Sequence, residues 1–147
     1  MPILAGGRLE ADALLRLRTA TYHVKASSSL TRTDTTYAPI PGASLNFTTA
    51  MPNAEVSVIA FFDCAVGTPA ASTDMNGRVV VDGVALSGLA KYQMDVADRA
   101  TVGVTEKVTV AAAGTHTVEL QGALSVAAGS GTFQAFTNML VLVNEQP

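Results

Sequence analysis

Apolar and polar side chains alternate with a period of two residues through most of the chain after Tyr37. The pattern is clearest in THTVELQ at 115–121, where His116, Val118 and Leu120 share one face and polar residues occupy the other. Because successive side chains of a strand point to opposite faces of a sheet, this period predicts half-buried β-strands. About eight short strands, with no helical period after residue 20, predict an all-β fold, an antiparallel jelly-roll β-sandwich.

Turn residues divide the predicted strands. The dipeptide Asp82-Gly83 follows three valines and predicts a tight hairpin turn. The stretch VGTPAASTDMNG at 66–77 predicts a polar loop. The predicted strands cover 44–48, 55–63, 78–86 with its central turn, 101–105, 107–111, 115–121 and 132–144.

Two of these strands are apolar on both faces, around 58–62 and 139–143. The outer face of an antiparallel sandwich is normally polar, so a second apolar face needs a cover. We favour other copies of the chain, in trimers that pack one sheet of each sandwich around a three-fold axis. The alternative cover is a long loop or the N-terminal segment. The predicted oligomer interface comprises Val58, Ile59, Phe61, Phe62, Met139, Leu140, Val141, Leu142 and Val143.

The N-terminal segment has a different pattern. LEADALLRLR at 9–18 consists of good helix formers, and its leucines cluster on one side of a predicted helix. A helix of ten residues is marginal alone in water, so it needs a partner surface. We favour a surface of another chain as that partner. In the alternative, the helix folds back on the rest of its own chain. The predicted anchoring residues are Leu9, Leu14, Leu17, Arg16 and Arg18.

Charge also separates the two parts of the chain. Residues 1–32 carry five basic and two acidic side chains, a net charge of +3, whereas residues 33–147 carry a net charge of −6. This asymmetry predicts an N-terminal anchoring arm at 1–32 and a jelly-roll domain at 33–147. A basic arm suits an acidic protein surface as its partner.

Composition narrows the class of protein further. Charged residues make up 14% of the chain, against roughly 25% on average. Such a surface is typical of a protein that packs against copies of itself. The single cysteine, Cys64, permits no intrachain disulfide and is predicted to be buried. No segment reaches the roughly 18–20 apolar residues that span a bilayer, so no membrane partner is expected. Charges interrupt the N-terminus where a signal peptide would be apolar, which predicts synthesis in the cytoplasm.

Candidate chemistry is sparse. The two histidines, His23 and His116, and the lone Cys64 lack the paired spacing of a zinc site. No nucleophile elbow, calcium-binding loop or phosphate-binding glycine loop occurs. His116 is predicted to be a hydrogen-bonded core or interface residue. No basic patch interleaved with aromatics occurs, so no nucleic-acid partner is expected. We therefore expect no catalytic residues, no cofactor and no metal.

Three stretches carry a resemblance to a known family. The opening MPILAGGRLEADALLRLRTATY, and later VVVDGVAL and AAAGTHTVELQGAL, resemble small virion structural proteins of tailed bacteriophages, of the capsid-decoration or appendage type. Their jelly-roll heads are similar in outline to those of tumour necrosis factor and C1q. Long fibre proteins carry a collagen-like or coiled-coil repeat before the head, and this chain has none before its predicted β domain. That difference favours a head close to the particle surface.

The resemblance implies a non-enzymatic protein of the virion, made in the host cytoplasm. It implies a homotrimer that decorates or cements the capsid, with the arm bound to another virion protein such as the major capsid protein. The alternative is a tail-fibre or spike head that binds host-surface glycans, against which the absence of tryptophan weighs. A third possibility, an enzyme acting on polysaccharide, lacks a recognisable site.

Overall fold

A computed structural model of the protein describes residues 19–145. Within these residues the chain forms β-strands and turns, and no helix long enough to cross a membrane occurs among them. The strands are β1 (Ala20–Lys25), β2 (Leu30–Arg32), β3 (Ala38–Thr49), β4 (Ala54–Thr68), β5 (Asp74–Val81), β6 (Val84–Ala85), β7 (Ala90–Gln93), β8 (Arg99–Val110), β9 (Gly114–Leu124), β10 (Ser130–Phe133) and β11 (Asn138–Asn144).

The strands form two antiparallel sheets. In sheet A, β8 pairs with one side of the long strand β4, and β11 and β10 pair with successive parts of its other side. Strands β1 and β2 complete that sheet beyond β11 and β10. Sheet B has the order β3, β9, β5, and both β6 and β7 pair with the far side of β5. The predicted all-β antiparallel sandwich is confirmed.

The core lies between the two sheets. Alternate residues of β4, among them Val58 and Phe62, are fully buried against the inner side chains of sheet B. The ring of Phe62 meets that of Phe133 edge to face, with centroids 6.1 Å apart. This alternation places every second residue of the central strands in the core, as the period of the sequence predicts.

The predicted turn at Asp82-Gly83 is confirmed. It joins β5 to β6, and both residues have positive φ, 49° for Asp82 and 79° for Gly83. Positive φ at both central positions is the requirement of a type I′ hairpin, which Asp-Gly meets with little strain.

Several predicted boundaries were wrong. The two strands expected at 101–105 and 107–111 are one strand, β8, because Glu106 continues the ladder opposite Val58. The strand expected at 132–144 is divided into β10 and β11 by a turn at 134–137. The loop expected at 66–77 is shorter, because β4 continues to Thr68 and β5 begins at Asp74.

The sandwich also begins earlier in the chain than the change of charge predicted. Within the segment assigned to the arm, β1 pairs with β11 and β2 with β10. Tyr22 and Val24 of β1 pack against the core. The remainder of the arm, residues 1–18, lies outside the described residues, and so do the predicted helix at 9–18 and the anchoring residues Leu9, Leu14, Leu17, Arg16 and Arg18.

Candidate functional site

The outer face of sheet A is the candidate interaction face. Residues of β4 that alternate with the buried ones point outward, and the register places Ile59 beside Leu140 of β11. Leu142 follows on the same face of β11, and Phe61 lies 44% exposed on β4. The Phe61 ring packs over Gly103 of β8, where an added Cβ would come within 3.3 Å of it. Four apolar side chains thus form a continuous strip across the sheet.

The nine residues of the predicted oligomer interface divide between the two faces of sheet A. Ile59, Phe61, Leu140 and Leu142 lie on the outer face, where another chain can reach them. The other five point into the core and are at most 2% exposed, namely Val58, Phe62, Met139, Val141 and Val143. These five were wrongly included, because a strand that is apolar on both faces still gives one face to its own core.

The turn between β10 and β11 adds an aromatic group that the sequence analysis missed. Phe136 is 62% exposed. The Lys25 Nζ lies 4.3 Å from the ring centroid and the Arg99 Cζ lies 5.6 Å from it. Cations within about 6 Å of a ring face are attracted by its quadrupole. The sequence pattern predicts a single strand over 132–144. Phe136 was therefore expected inside that strand and not in a turn.

An ion pair holds this turn in place. Arg99 donates two hydrogen bonds to the buried Asp63, at 2.8 and 2.5 Å. The amide of Gln134 donates to the Asp63 carbonyl at 2.7 Å, and the Asp63 amide donates to the Thr137 hydroxyl at 3.1 Å. The hydrogen bond to Asp63 raises the pKa of the Arg99 guanidinium. Asp63 therefore fixes both the turn that carries Phe136 and one of the cations beside it.

One cluster has the composition of a catalytic triad. His116 Nδ1 lies 2.7 Å from Asp82 Oδ2, and its Nε2 lies 3.3 Å from the Thr49 hydroxyl. The same Nε2 lies 3.0 Å from the Ala112 carbonyl oxygen, which only accepts hydrogen bonds. The Nε2 is thus a donor and is not free to take a proton from Thr49, which is itself 2% exposed. The cluster is structural, and the prediction of a hydrogen-bonded core histidine is confirmed.

Cys64 is buried inside sheet A, as predicted. Burial, with a smaller contribution from the charge of Asp63, raises the pKa of its thiol to about 12. The thiolate is the reactive form of cysteine, so this side chain is inert in the folded protein. Among residues 19–145, no group of three or more His, Cys, Asp or Glu side chains is arranged to hold a metal ion.

Comparison with known proteins identifies no family. No family model and no curated protein sequence matches the chain. Among solved structures, one of infectious bursal disease virus, Gx strain, aligns with 88% of this chain and 37% of its own at 10% identity and a TM-score of 0.48. Dimeric latent PorU from Porphyromonas gingivalis aligns over 86% of this chain and 13% of its own at 9% identity and a TM-score of 0.47.

A third likeness is to the CBM36-1 domain of a multidomain xylanase from the hindgut metagenome of Trinervitermes trinervoides. It covers 84% of this chain and 96% of that domain, at 12% identity and a TM-score of 0.39. The chain spans only 19% of the insecticidal delta-endotoxin Cry8Ea1 of Bacillus thuringiensis, another structure that it matches. These scores are too low to bear on function.

Proposed function

We propose that the protein is a non-enzymatic structural component of a tailed-bacteriophage virion, a homotrimer that decorates or cements the capsid. The two antiparallel sheets fit the jelly-roll head that the sequence resemblance implies, and together they support the class of protein. The observation that carries the proposal is the apolar strip on the outer face of sheet A, where Phe61 is exposed and Ile59, Leu140 and Leu142 are half-buried. Large exposed apolar patches mark interaction sites in soluble proteins.

The two sheets differ in the character of their outer faces. On sheet B the outward residues of β3 and β9 form polar pairs, such as Thr117 donating to Asn46 at 2.8 Å. Arg78 of β5 donates to Gln121 of β9 at 3.0 and 2.7 Å. A polar sheet face is the ordinary solvated side of an antiparallel sandwich. The outer face of sheet A differs because an apolar strip lies between the polar outward residues of β1 and β8. We therefore assign self-association to sheet A and leave sheet B facing solvent.

The interface in this proposal is smaller than the sequence indicated. It contains Ile59, Phe61, Leu140 and Leu142, with Phe136 at one end. Lys25 and Arg99 flank Phe136, so this end of the strip is positively charged. Apolar centres with polar or charged rims are the usual anatomy of protein interfaces.

The arm supplies the second contact of the proposal. Three arms of one trimer bind the same particle, so attachment of the first raises the effective concentration of the others. The partner we propose is an acidic surface of another virion protein, such as the major capsid protein, because residues 1–18 carry three arginines against Glu10 and Asp12. Neither a nucleic acid nor a membrane is part of this assignment.

Light scattering tests the oligomer. We expect the full-length protein to have the mass of three chains of 15.1 kDa each, and the variant I59T/L140T to be a folded monomer. The control L89T removes a more exposed leucine that lies outside the strip, and it should remain a trimer. A monomeric wild-type protein, or a trimeric I59T/L140T variant, would contradict the assignment.

Particle binding tests the location. Capsids that lack the protein should bind it stoichiometrically and with saturation, and a chain with Leu14→Ser and Leu17→Ser should bind more weakly. Intact host cells should not bind it. Saturable binding to cells without binding to capsids would instead favour a tail-fibre or spike head.

The exposed Phe136 favours that second candidate, a head that binds host glycans. Aromatic rings with adjacent polar groups are suited to stack against sugar rings, and Lys25 and Asn138 lie beside Phe136. The substitution Phe136→Ala separates the two functions. It should abolish cell binding if the protein is a glycan-binding head. If the protein is a decoration protein, F136A that light scattering shows to be trimeric should still bind capsids to saturation.

A further inference from the structure

An apolar cleft lies at one edge of the sandwich, where the two sheets diverge between β6 and β8. Its apolar walls include Val84 and Leu86 on the sheet B side and Val108 and Val110 on the sheet A side. Val84 is 65% exposed, although its side chain is fully apolar. The cleft has a volume of about 230 Å³, below the roughly 300–1,000 Å³ of small-molecule sites. It is sized for aliphatic side chains.

The rim of this edge cleft is acidic. Asp82 lines it with a side chain that is 43% exposed. Two hydrogen bonds, from the Thr117 amide at 2.8 Å and from His116 at 2.7 Å, hold the carboxylate in place. A ligand that fits would therefore combine an aliphatic group for the walls with a cation for the rim.

Thr19, the first described residue, lies at the same height along the strands of sheet A as this cleft. Thr19 donates to the Asn144 side chain at 2.5 Å. Asn144 pairs with Glu55 of β4, and Glu55 pairs with Thr109 of β8, which lines the cleft. Three strand spacings separate Thr19 from Thr109, about 14 Å across sheet A. The point at which residues 1–18 connect to the sandwich is therefore at the same height along the strands of sheet A as the cleft.

The length and composition of residues 1–18 match the cleft. An extended chain spans about 3.3 Å per residue, so Leu14, five residues before Thr19, reaches about 16 Å. A helix rises 1.5 Å per residue, so Leu9 reaches about 15 Å as well. Arg16 and Arg18 adjoin these leucines in sequence and can pair with Asp82.

We propose that the edge cleft binds a leucine side chain from residues 1–18 of the same chain. The arm then has a binding site on its own head, and any other partner of the arm competes with that site. This inference concerns the free protein and does not depend on the proposed location in a virion. Its failure would leave that proposal intact.

Thiol labelling of full-length variants tests the inference. Val84→Cys places a thiol at the mouth of the cleft, and Val126→Cys places a control thiol in an exposed loop near the opposite end of β5. Native Cys64 is buried, with its pKa raised to about 12, so it contributes little background. The reagent is N-ethylmaleimide, and each variant is made with and without Leu9→Ser and Leu14→Ser.

We expect the two serine substitutions to accelerate labelling of V84C by roughly 10-fold or more, because burial of one leucine shifts an equilibrium by about that factor. Labelling of V126C should not change. Equal rates for V84C with and without the serine substitutions would overturn the proposal.

A mixing experiment shows whether the leucine comes from the same chain. V84C protein is unfolded and refolded together with a tenfold excess of chains that carry L9S and L14S but no introduced cysteine. Protection of V84C should persist, because each V84C chain keeps its own leucines. Loss of protection would mean that the cleft binds the arm of a second copy, which contradicts the assignment.

Discussion

His116 joins three connections at one end of the sandwich. Its Nδ1 bonds the β5–β6 turn through Asp82, and its Nε2 faces the Ala112 carbonyl between β8 and β9. Thr49, at the end of β3, lies on the same side of the ring, and Phe47 packs against it with centroids 5.4 Å apart. Carboxylate and carbonyl oxygens only accept hydrogen bonds, so the ring is the donor to the oxygen that it bonds.

Replacement of this histidine should therefore be costly. His116→Ala leaves the Ala112 carbonyl without the ring's hydrogen bond and opens a cavity beside Phe47, and we expect it to lower the free energy of unfolding by about 2–4 kcal/mol. Urea unfolding monitored by circular dichroism measures the change. The control is Lys91→Ala, at an exposed position of β7, which should alter stability by no more than about 0.5 kcal/mol. Similar losses for the two variants would contradict the role assigned to His116.

Asp82 gives a second residue-scale prediction, in its dependence on pH. Partial burial raises the pKa of its carboxyl, but the Thr117 amide and the hydrogen bond and charge of His116 outweigh it, so the pKa is lowered overall. A lowered pKa means that the ionised carboxylate stabilises the fold above its ordinary pKa, about 3.9. That stabilisation is lost as the pH falls through the lower pKa of the folded state.

The comparison is between wild type and Asp82→Asn across the pH range. The asparagine variant should be less stable from pH 5 to 7, and the difference should shrink steadily as the pH falls below about 4. Urea midpoints at successive pH values measure it. A difference that is constant down to pH 3 would show that the charge of Asp82 plays no part.

At the scale of elements, a pair of glycines shapes the core. Gly77 of β5 and Gly122 of β9 are cross-strand partners on the inner face of sheet B. A Cβ at Gly77 would lie 2.4 Å from the Phe62 ring, and one at Gly122 would lie 2.3 Å from the Phe133 ring. Phe62 and Phe133 come from neighbouring strands of sheet A. The two glycines thus leave the space that both rings occupy.

Filling this space should destabilise the sandwich. Gly122→Ala should lower the free energy of unfolding by roughly 1–3 kcal/mol, the usual cost of overpacking a core. The double variant G122A/F133L should lose less than the two single variants together, because the smaller side chain makes room for the added methyl group. Chemical denaturation of all four proteins completes the cycle. Simple additivity would mean that Phe133 and Gly122 do not share this space.

Strands were predictable where one face is buried and the other polar. THTVELQ lies within β9, and VVVDG gives the end of β5 and its turn, because alternation and turn chemistry are local properties of the sequence. The charge argument failed at β1 and β2, because Tyr22 and Val24 enter the core regardless of the net charge around them. Nothing local in the sequence marks where a sheet acquires its outermost strand.

The candidate site was half predictable for a similar reason. The sequence identified two strands apolar on both faces, but it could not say which residues of each face the core. That choice depends on the packing of sheet A against sheet B, a contact between residues far apart in the chain. Phe136 was beyond prediction, since its exposure follows from a turn that Asp63, 73 positions earlier, holds in place.

At the scale of the whole molecule, the sandwich presents a polar outer face on sheet B and an outer face with a central apolar strip on sheet A. Thr48 and Thr115 lie paired across sheet B, while Ile59 and Leu140 lie paired across sheet A. An isolated sandwich leaves the second pair partly exposed to water, and in our proposal association buries the rest of both side chains. If folding and association are coupled in this way, stability depends on protein concentration, as it does for any folded state that only the oligomer completes.

The thermal midpoint, Tm, should therefore depend on protein concentration if the protein is a trimer. For a trimer that dissociates as it unfolds, each tenfold dilution lowers the stability per chain by two thirds of RT ln 10, about 0.9 kcal/mol. For a chain of this size, that corresponds to a fall in Tm of about 2–4 °C. Differential scanning calorimetry over a hundredfold range of protein concentration measures this fall in Tm.

The variant I59T/L140T should lose the concentration dependence yet keep a cooperative transition, because its substitutions lie outside the core. A wild-type Tm that does not change with concentration would mean that each sandwich is stable alone, and the apolar face of sheet A would then need a partner other than a second copy.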